Sequence, residues 1–122
     1  MRIKIRKSDQ VFSRYIRTRD NWKCQRCYKK YQEGDQGLHN SHFFGRACEA
    51  TRFLGSNCDS LCFGCHQYFG ANPAMYTEWK VKQMGEKQFD KLTVIAKTVR
   101  KKRDDKLDLI LAQALLKELE TR

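Results

Sequence analysis

Apolar positions in the N-terminal segment recur at helical spacing. Val11, Phe12, Tyr15 and Ile16 predict a helix over about residues 9–20, capped by Ser8 or Asp9, with Arg14, Arg17 and Arg19 left on a basic face. Residues 1–7 read as an extended basic arm. Periodicity is lost over 21–37, a loop carrying Cys24 and Cys27 near its start and Gly34 and Gly37 near its end. Residues 38–44 fit a short strand, and 45–57, with Gly45, Gly55 and Asn57, read as irregular. A short helix is expected from about Ser60 to Phe69, ended by Gly70 and by Asn72-Pro73, because the residue before proline avoids helical angles. Two or three helices follow, over about 74–84 with Gly85 as its stop, 86–97, and 104–121 with Asp104 or Asp105 as cap. In the last of these, Leu107, Ile110, Leu111, Ala114, Leu115 and Leu119 form an apolar stripe suited to a core or to pairing as a homodimer.

Length and composition turn these elements into one small domain. A chain of 122 residues with 40% hydrophobic residues builds a thin core, the kind that a disulfide or a metal often staples. The division expected is a core over 8–72 and a helical extension over 73–122. Twenty-five Lys and Arg against 14 Asp and Glu give a formal charge of +11, which favours a polyanionic partner such as DNA. The basic run from Lys97 to Lys106 reads equally as a solvated face or as a contact to the DNA backbone. The polar N-terminus shows no secretory signal, and the longest apolar run, Leu109 to Ala112, is too short for a bilayer. The expected setting is therefore the cytoplasm, with no membrane partner, where thiols stay reduced and paired cysteines act as metal ligands.

The pair Cys24-Gln-Arg-Cys27 and Cys62-Phe-Gly-Cys65 can present four thiolates to one structural zinc. Cys48 and Cys58 are left over, and each reads as a small buried hydrophobe. All three histidines fall in or just after the stapled segment: His39 and His42 on the expected strand, then His66 directly after Cys65. Asn57 lies in the loop between them. The residue types suit phosphodiester hydrolysis. Imidazole titrates near neutrality and can deprotonate water, and a divalent metal can neutralise charge on phosphate oxygens. A zinc already held by four cysteines has no open position for that work.

These residues resemble the HNH endonucleases with a four-cysteine zinc, and more narrowly the NinG/Rap family of phage recombination nucleases. The segment from Phe12 to Asp20, Thr51-Arg52-Phe53 and the stretch from Gly70 to Tyr76 carry the narrower likeness, which spans about residues 11–85. The resemblance implies an α+β fold with a zinc-stapled ββα-metal core, an N-terminal helix and C-terminal helices. It implies metal-dependent cleavage of branched or single-strand-containing DNA in a bacterial host cell. It makes His42 the general base and Asn57 the motif asparagine, with His66 as a ligand of one catalytic divalent metal: Mn, Mg, Ni or Zn. The pattern departs in two places. Ser41 stands where HNH enzymes commonly carry Asp or His, and His39 occupies the NinG-like acidic position, from which it can serve as the second metal ligand. Arg46 and Arg52, beside the site, are candidates to clamp the scissile phosphate or to hold the loop. Two other readings remain: a non-catalytic zinc-finger DNA-binding protein, and an interaction or packaging accessory built on the C-terminal helix.

Overall fold

The computed structural model describes residues 3–98 and 102–122. Among these residues the fold is α+β, with five helices and one two-stranded antiparallel sheet. Helix α1 (Lys7–Arg19) precedes strand β1 (Leu38–His42); a 3-10 turn (Gly55–Asn57) leads into β2 (Cys58–Cys62). Helices α2 (Phe63–Ala71), α3 (Pro73–Met84), α4 (Glu86–Thr98) and α5 (Asp105–Glu120) complete the chain.

Helix α1 begins two residues earlier than the spacing predicts. Asp9 is not its cap but its third residue, where its carboxylate accepts the Arg6 backbone N–H at 2.8 Å and sits favourably at the positive end of the helix dipole. Phe12 and Ile16 pack with Cys58 and Ala112, so α1 is held between the sheet and α5. A second cluster gathers Trp22, Leu38, Leu61, Phe69 and Tyr76 around the cysteines, and the Phe69 and Tyr76 rings stack with centroids 4.5 Å apart.

The hairpin pairs His39 with Leu61, Ser41 with Asp59 and His42 with Cys58. Alternation then sorts the side chains. Ser41 bonds the Tyr76 hydroxyl of α3 at 2.8 Å, and the ring of His39 lies beside His66 of α2, so positions 39 and 41 face those helices. Asn40 and His42 turn to the opposite face, that of Ser60, whose hydroxyl donates to the Ile16 carbonyl of α1.

Strand β2 corrects the expectation of a helix starting near Ser60. All five of its residues are buried, so it shows no alternation to read. Its backbone is claimed from outside: the Asp20 carboxylate accepts the Ser60 N–H at 2.9 Å, the Gln25 N–H donates to the Ser60 carbonyl, and Arg19 donates to the Cys58 carbonyl at 2.8 Å. Lys80 of α3 reaches Asp59 at 2.6 Å, both fully buried, and ties that helix to the strand.

Helix α5 starts as expected, with Asp104 accepting the N–H groups of Lys106 and Leu107. Its apolar stripe does not form the core. Leu107, Ile110 and Leu111 are about half exposed, while Asp108 and Ala112 face inward. The small Ala112 side chain gives α1 a close approach, and Asp108 is paired with Arg103 at 2.9 Å. In the basic run, Arg100 and Lys101 lie outside the described residues, as do Met1 and Arg2 of the arm. Among the described residues, no helix is long and apolar enough to cross a membrane.

Candidate metal centre and histidine site

The first knuckle is a turn closed by the bridge between Lys23 and Lys30; the second joins the end of β2 to the first turn of α2. Together they bring the sulfurs of Cys24, Cys27, Cys62 and Cys65 to within 4.8 Å of one another, with Cys27 and Cys62 at 3.7 Å. A tetrahedral zinc with Zn–S bonds of about 2.3 Å needs sulfurs roughly 3.8 Å apart, so the set fits a structural zinc. The Cys27 N–H points at the Cys24 sulfur and the Cys65 N–H at that of Cys62, at 3.5 and 3.4 Å. These donors, with the Arg26 guanidinium 3.5 Å from the Cys65 sulfur, offset part of the negative charge of four thiolates. Cys48 and Cys58 stand apart from the set. Cys58 is sealed in the core, where burial pushes its thiol up to about 12.

Beside this centre, on the face of the sheet that meets α2, the Nδ1 atoms of His39 and His66 lie 3.1 Å apart. Imidazoles bound to one metal at about 2.0–2.1 Å place their nitrogens roughly 2.9–3.4 Å apart, from right-angled to tetrahedral geometry. The pair therefore has the spacing of two ligands on one ion. Burial, then the neighbouring His39 and Arg46, lowers the pKa of His66 and keeps the neutral form that a metal requires. Among the described residues no further Cys, His, Asp or Glu joins them, so the other positions on such an ion would fall to water and substrate oxygens.

His42 lies on the opposite face at the end of β1. Its Nε2 is 2.9 Å from the Arg52 carbonyl, an acceptor, so Nε2 carries the hydrogen and Nδ1 keeps the free lone pair. Burial, then the charge of Arg46, lowers its pKa to about 4, while the Arg52 carbonyl works the other way. Asn57 fixes the surrounding loop. Its Oδ1 accepts the Phe44 N–H, and its Nδ2 donates to the carbonyls of Phe44 and Thr51 at 2.9 and 3.1 Å. Asn57 is fully buried and its amide is committed to backbone.

The two arginines separate. Arg52 is 2% exposed, and its guanidinium is held by Asp9 at 2.6 and 2.9 Å, by Glu49 and by the Lys4 carbonyl. It holds the loop and has no donor left for a phosphate, which corrects its candidacy as a DNA contact. Arg46 keeps that candidacy. It acts electrostatically on both His42 and His66, and its buried Nε has no hydrogen-bond partner, with Asp9 at 3.7 Å. Burial opposes the Asp9 charge, but Arg52 and the Arg6 N–H outweigh it and hold the carboxyl below its usual range. Sequence alone reads Asp9 as a helix cap; the signal that could have placed it is an acidic residue in a first turn set in a strongly basic arm.

The family described as bacteriophage lambda NinG protein matches residues 2–122. The chain belongs to the NinG family. The match reaches past the span over which the motif likeness is specific and takes in both the basic arm and the C-terminal helices of this NinG-family chain. Comparison with curated proteins gave no match, and comparison with solved structures gave none either.

Proposed function

We propose that this NinG-family protein is a metal-dependent DNA endonuclease of the HNH type, cutting branched or single-strand-containing DNA during phage recombination in the bacterial cytoplasm. The observation that carries the reading is the pairing of His39 with His66 on one face of the hairpin, with a His42 on the other face whose tautomer is fixed with Nδ1 free. A zinc-finger binding module has no use for that arrangement.

His42 is neutral at physiological pH and its free nitrogen can take a proton from water. The water oxygen then attacks phosphorus, the bond from phosphorus to the leaving sugar oxygen breaks, and that oxygen gains a proton from solvent. One phosphate monoester and one hydroxyl result. Arg46, placed by the loop that Asn57 pins, offers its guanidinium to the phosphate. His39 and His66 would hold a divalent ion, which supplies charge neutralisation at the phosphate oxygens when bound. Two imidazoles suit Mn, Co, Ni or Zn better than Mg.

The test is incubation of the zinc-loaded protein with end-labelled duplex, single-stranded and four-way-junction DNA, with and without added Mn, Ni or Mg. Metal-dependent cleavage of at least one substrate is expected, with junction or single-stranded DNA preferred. DNA binding with no cleavage under any metal would leave the binding-module reading in its place.

A further inference from the structure

A groove of about 460 Å³ runs between α1 and the segments flanking β1, lined by Asp9, Gln10, Ser13, Arg17, Gln36 and Arg46. Its size lies within the roughly 300–1,000 Å³ of ligand sites, but its walls are polar, which suits a sugar–phosphate backbone better than a base. Two observations mark it as more than a surface crease. The first is a cation on its wall without a carboxylate: Arg17 has no carboxylate partner among the described residues, and its Nε donates only to the Ser13 carbonyl of its own helix. Its guanidinium lies 4.8 Å from the centre of the Trp22 ring. The second is Arg46 on the same groove: its ion-pair partner, Asp9 Oδ1, is 3.7 Å away and is already bonded by Arg52, and its buried Nε has no hydrogen-bond partner. Buried polar atoms without partners are rare and mark places where a ligand or water completes the bonding.

We propose that this groove is a second phosphate site, which takes the backbone phosphate flanking the one at His42, with Arg17 as its cation and Arg46 shared between the two phosphates. It rests on the reading of the chain as a DNA nuclease, and it adds a direction: the strand leaves the histidine site along α1, past Ser13 and Gln10. A single phosphate held by arginine contributes about 0.7–0.9 to the log–log salt dependence of binding.

The experiment measures anisotropy of a labelled single strand and a labelled junction across a salt series, without added divalent metal. It compares wild type, Arg17→Gln, Arg17→Lys and, as a charge-matched control on exposed α5, Lys117→Gln. Arg17→Gln should weaken binding and lower the slope by roughly 0.7–0.9; Arg17→Lys should keep the slope, and Lys117→Gln should match wild type. Single methylphosphonates placed along the strand add a second readout. One position next to the cut bond should weaken wild type but cost Arg17→Gln nothing further. Equal slopes in wild type and Arg17→Gln, or the same methylphosphonate profile in both, overturn the site. Nuclease assays separate the two proposals. A wild type that cuts nothing while Arg17→Gln loses its slope removes the nuclease and keeps the groove. A wild type that cuts DNA while Arg17→Gln binds and cuts alike removes the groove.

Discussion

Asn57→Ala should cost more than an ordinary buried-to-alanine change, because it strands backbone on both sides of the loop at once. The Asn57 amide makes three bonds: it accepts from the Phe44 N–H and donates to the carbonyls of Phe44 and Thr51. The two Phe44 groups are half-buried and can recover water, so each lost bond costs about 0.5–1.5 kcal/mol; the Thr51 carbonyl is buried, and leaving it bare costs about 1–3 kcal/mol. The expected loss is about 2–6 kcal/mol. A domain of this size has only about 5–15 kcal/mol in total, so the variant should fold with a clearly lowered urea midpoint. Urea titration in the presence of zinc, followed by the fluorescence of Trp22 and Trp79, measures it. The loop that Asn57 pins also carries the Arg52 carbonyl that orients His42. Cleavage should therefore fall in Asn57→Ala even at temperatures where the variant is fully folded. A stability change under about 0.5 kcal/mol, or full activity in the folded variant, would refute the positioning role.

The remaining predictions concern the metals and the base. Replacing any one of Cys24, Cys27, Cys62 or Cys65 by Ser, or removing zinc with a chelator, should unfold the domain, because structural zinc sites contribute roughly 10–16 kcal/mol in small fingers; circular dichroism and metal analysis check it, and a native melt in metal-free protein would contradict it. His42→Ala should slow cleavage by about 10²–10⁴ while leaving DNA affinity and zinc content intact, as read by single-turnover kinetics beside anisotropy. His66→Ala and His39→Ala should weaken binding of Mn or Ni measured by calorimetry and should leave one zinc per chain. Finally, the folded pKa of His42, about 4, lies below its unfolded value of about 6.5. The unfolded chain therefore binds the proton first, and stability should fall as pH drops from about 6.5 towards 4, on the order of 3 kcal/mol from this group; in denaturation series, wild type should lose about that much more than His42→Asn over this range.

How far the sequence spoke for this structure depends on where the signal is local. The knuckle cysteines come together as their spacing implies, since C-x-x-C is a local motif and the metal set needs only two of them. The caps and stops of the C-terminal helices were also readable, through Asp104, Pro73 and Gly85. Strand β2 was not. Buried on both faces, it carries neither a period of two nor a helical one, and its partners in Arg19, Asp20 and Gln25 are 35 to 40 residues away in sequence. The core half of the α5 stripe reading missed for a related reason. Periodicity names an apolar face but does not say that it turns inward, and here an ion pair and one alanine occupy the contact. Between phosphate clamp and loop holder, the sequence could not choose for Arg52, because the carboxylate that engages it, Asp9, lies 43 residues upstream.

A two-stranded hairpin is a poor platform for chemistry, because alone in water it is marginally stable. His39 and His42 ride on one, and each end of it is braced by a different device. At the Cys62 end, the four-sulfur set joins the strand to the first turn of α2, and Cys65 fixes the backbone immediately before His66. At the His42 end no metal set is present among the described residues, and the bracing is polar: Asn57 on the loop, and Asp9 with Arg52 linking that loop to α1. A zinc held by the four cysteines would thus set the spacing of His39 and His66, whereas His42 depends on a buried ion pair. Breaking one partner of such a pair costs about 3–5 kcal/mol, since the other is left charged and buried. The two supports are therefore unequal. Loss of zinc should unfold the domain and take both histidine sites with it, whereas loss of Arg52 should release His42 while the four thiolates still hold their metal.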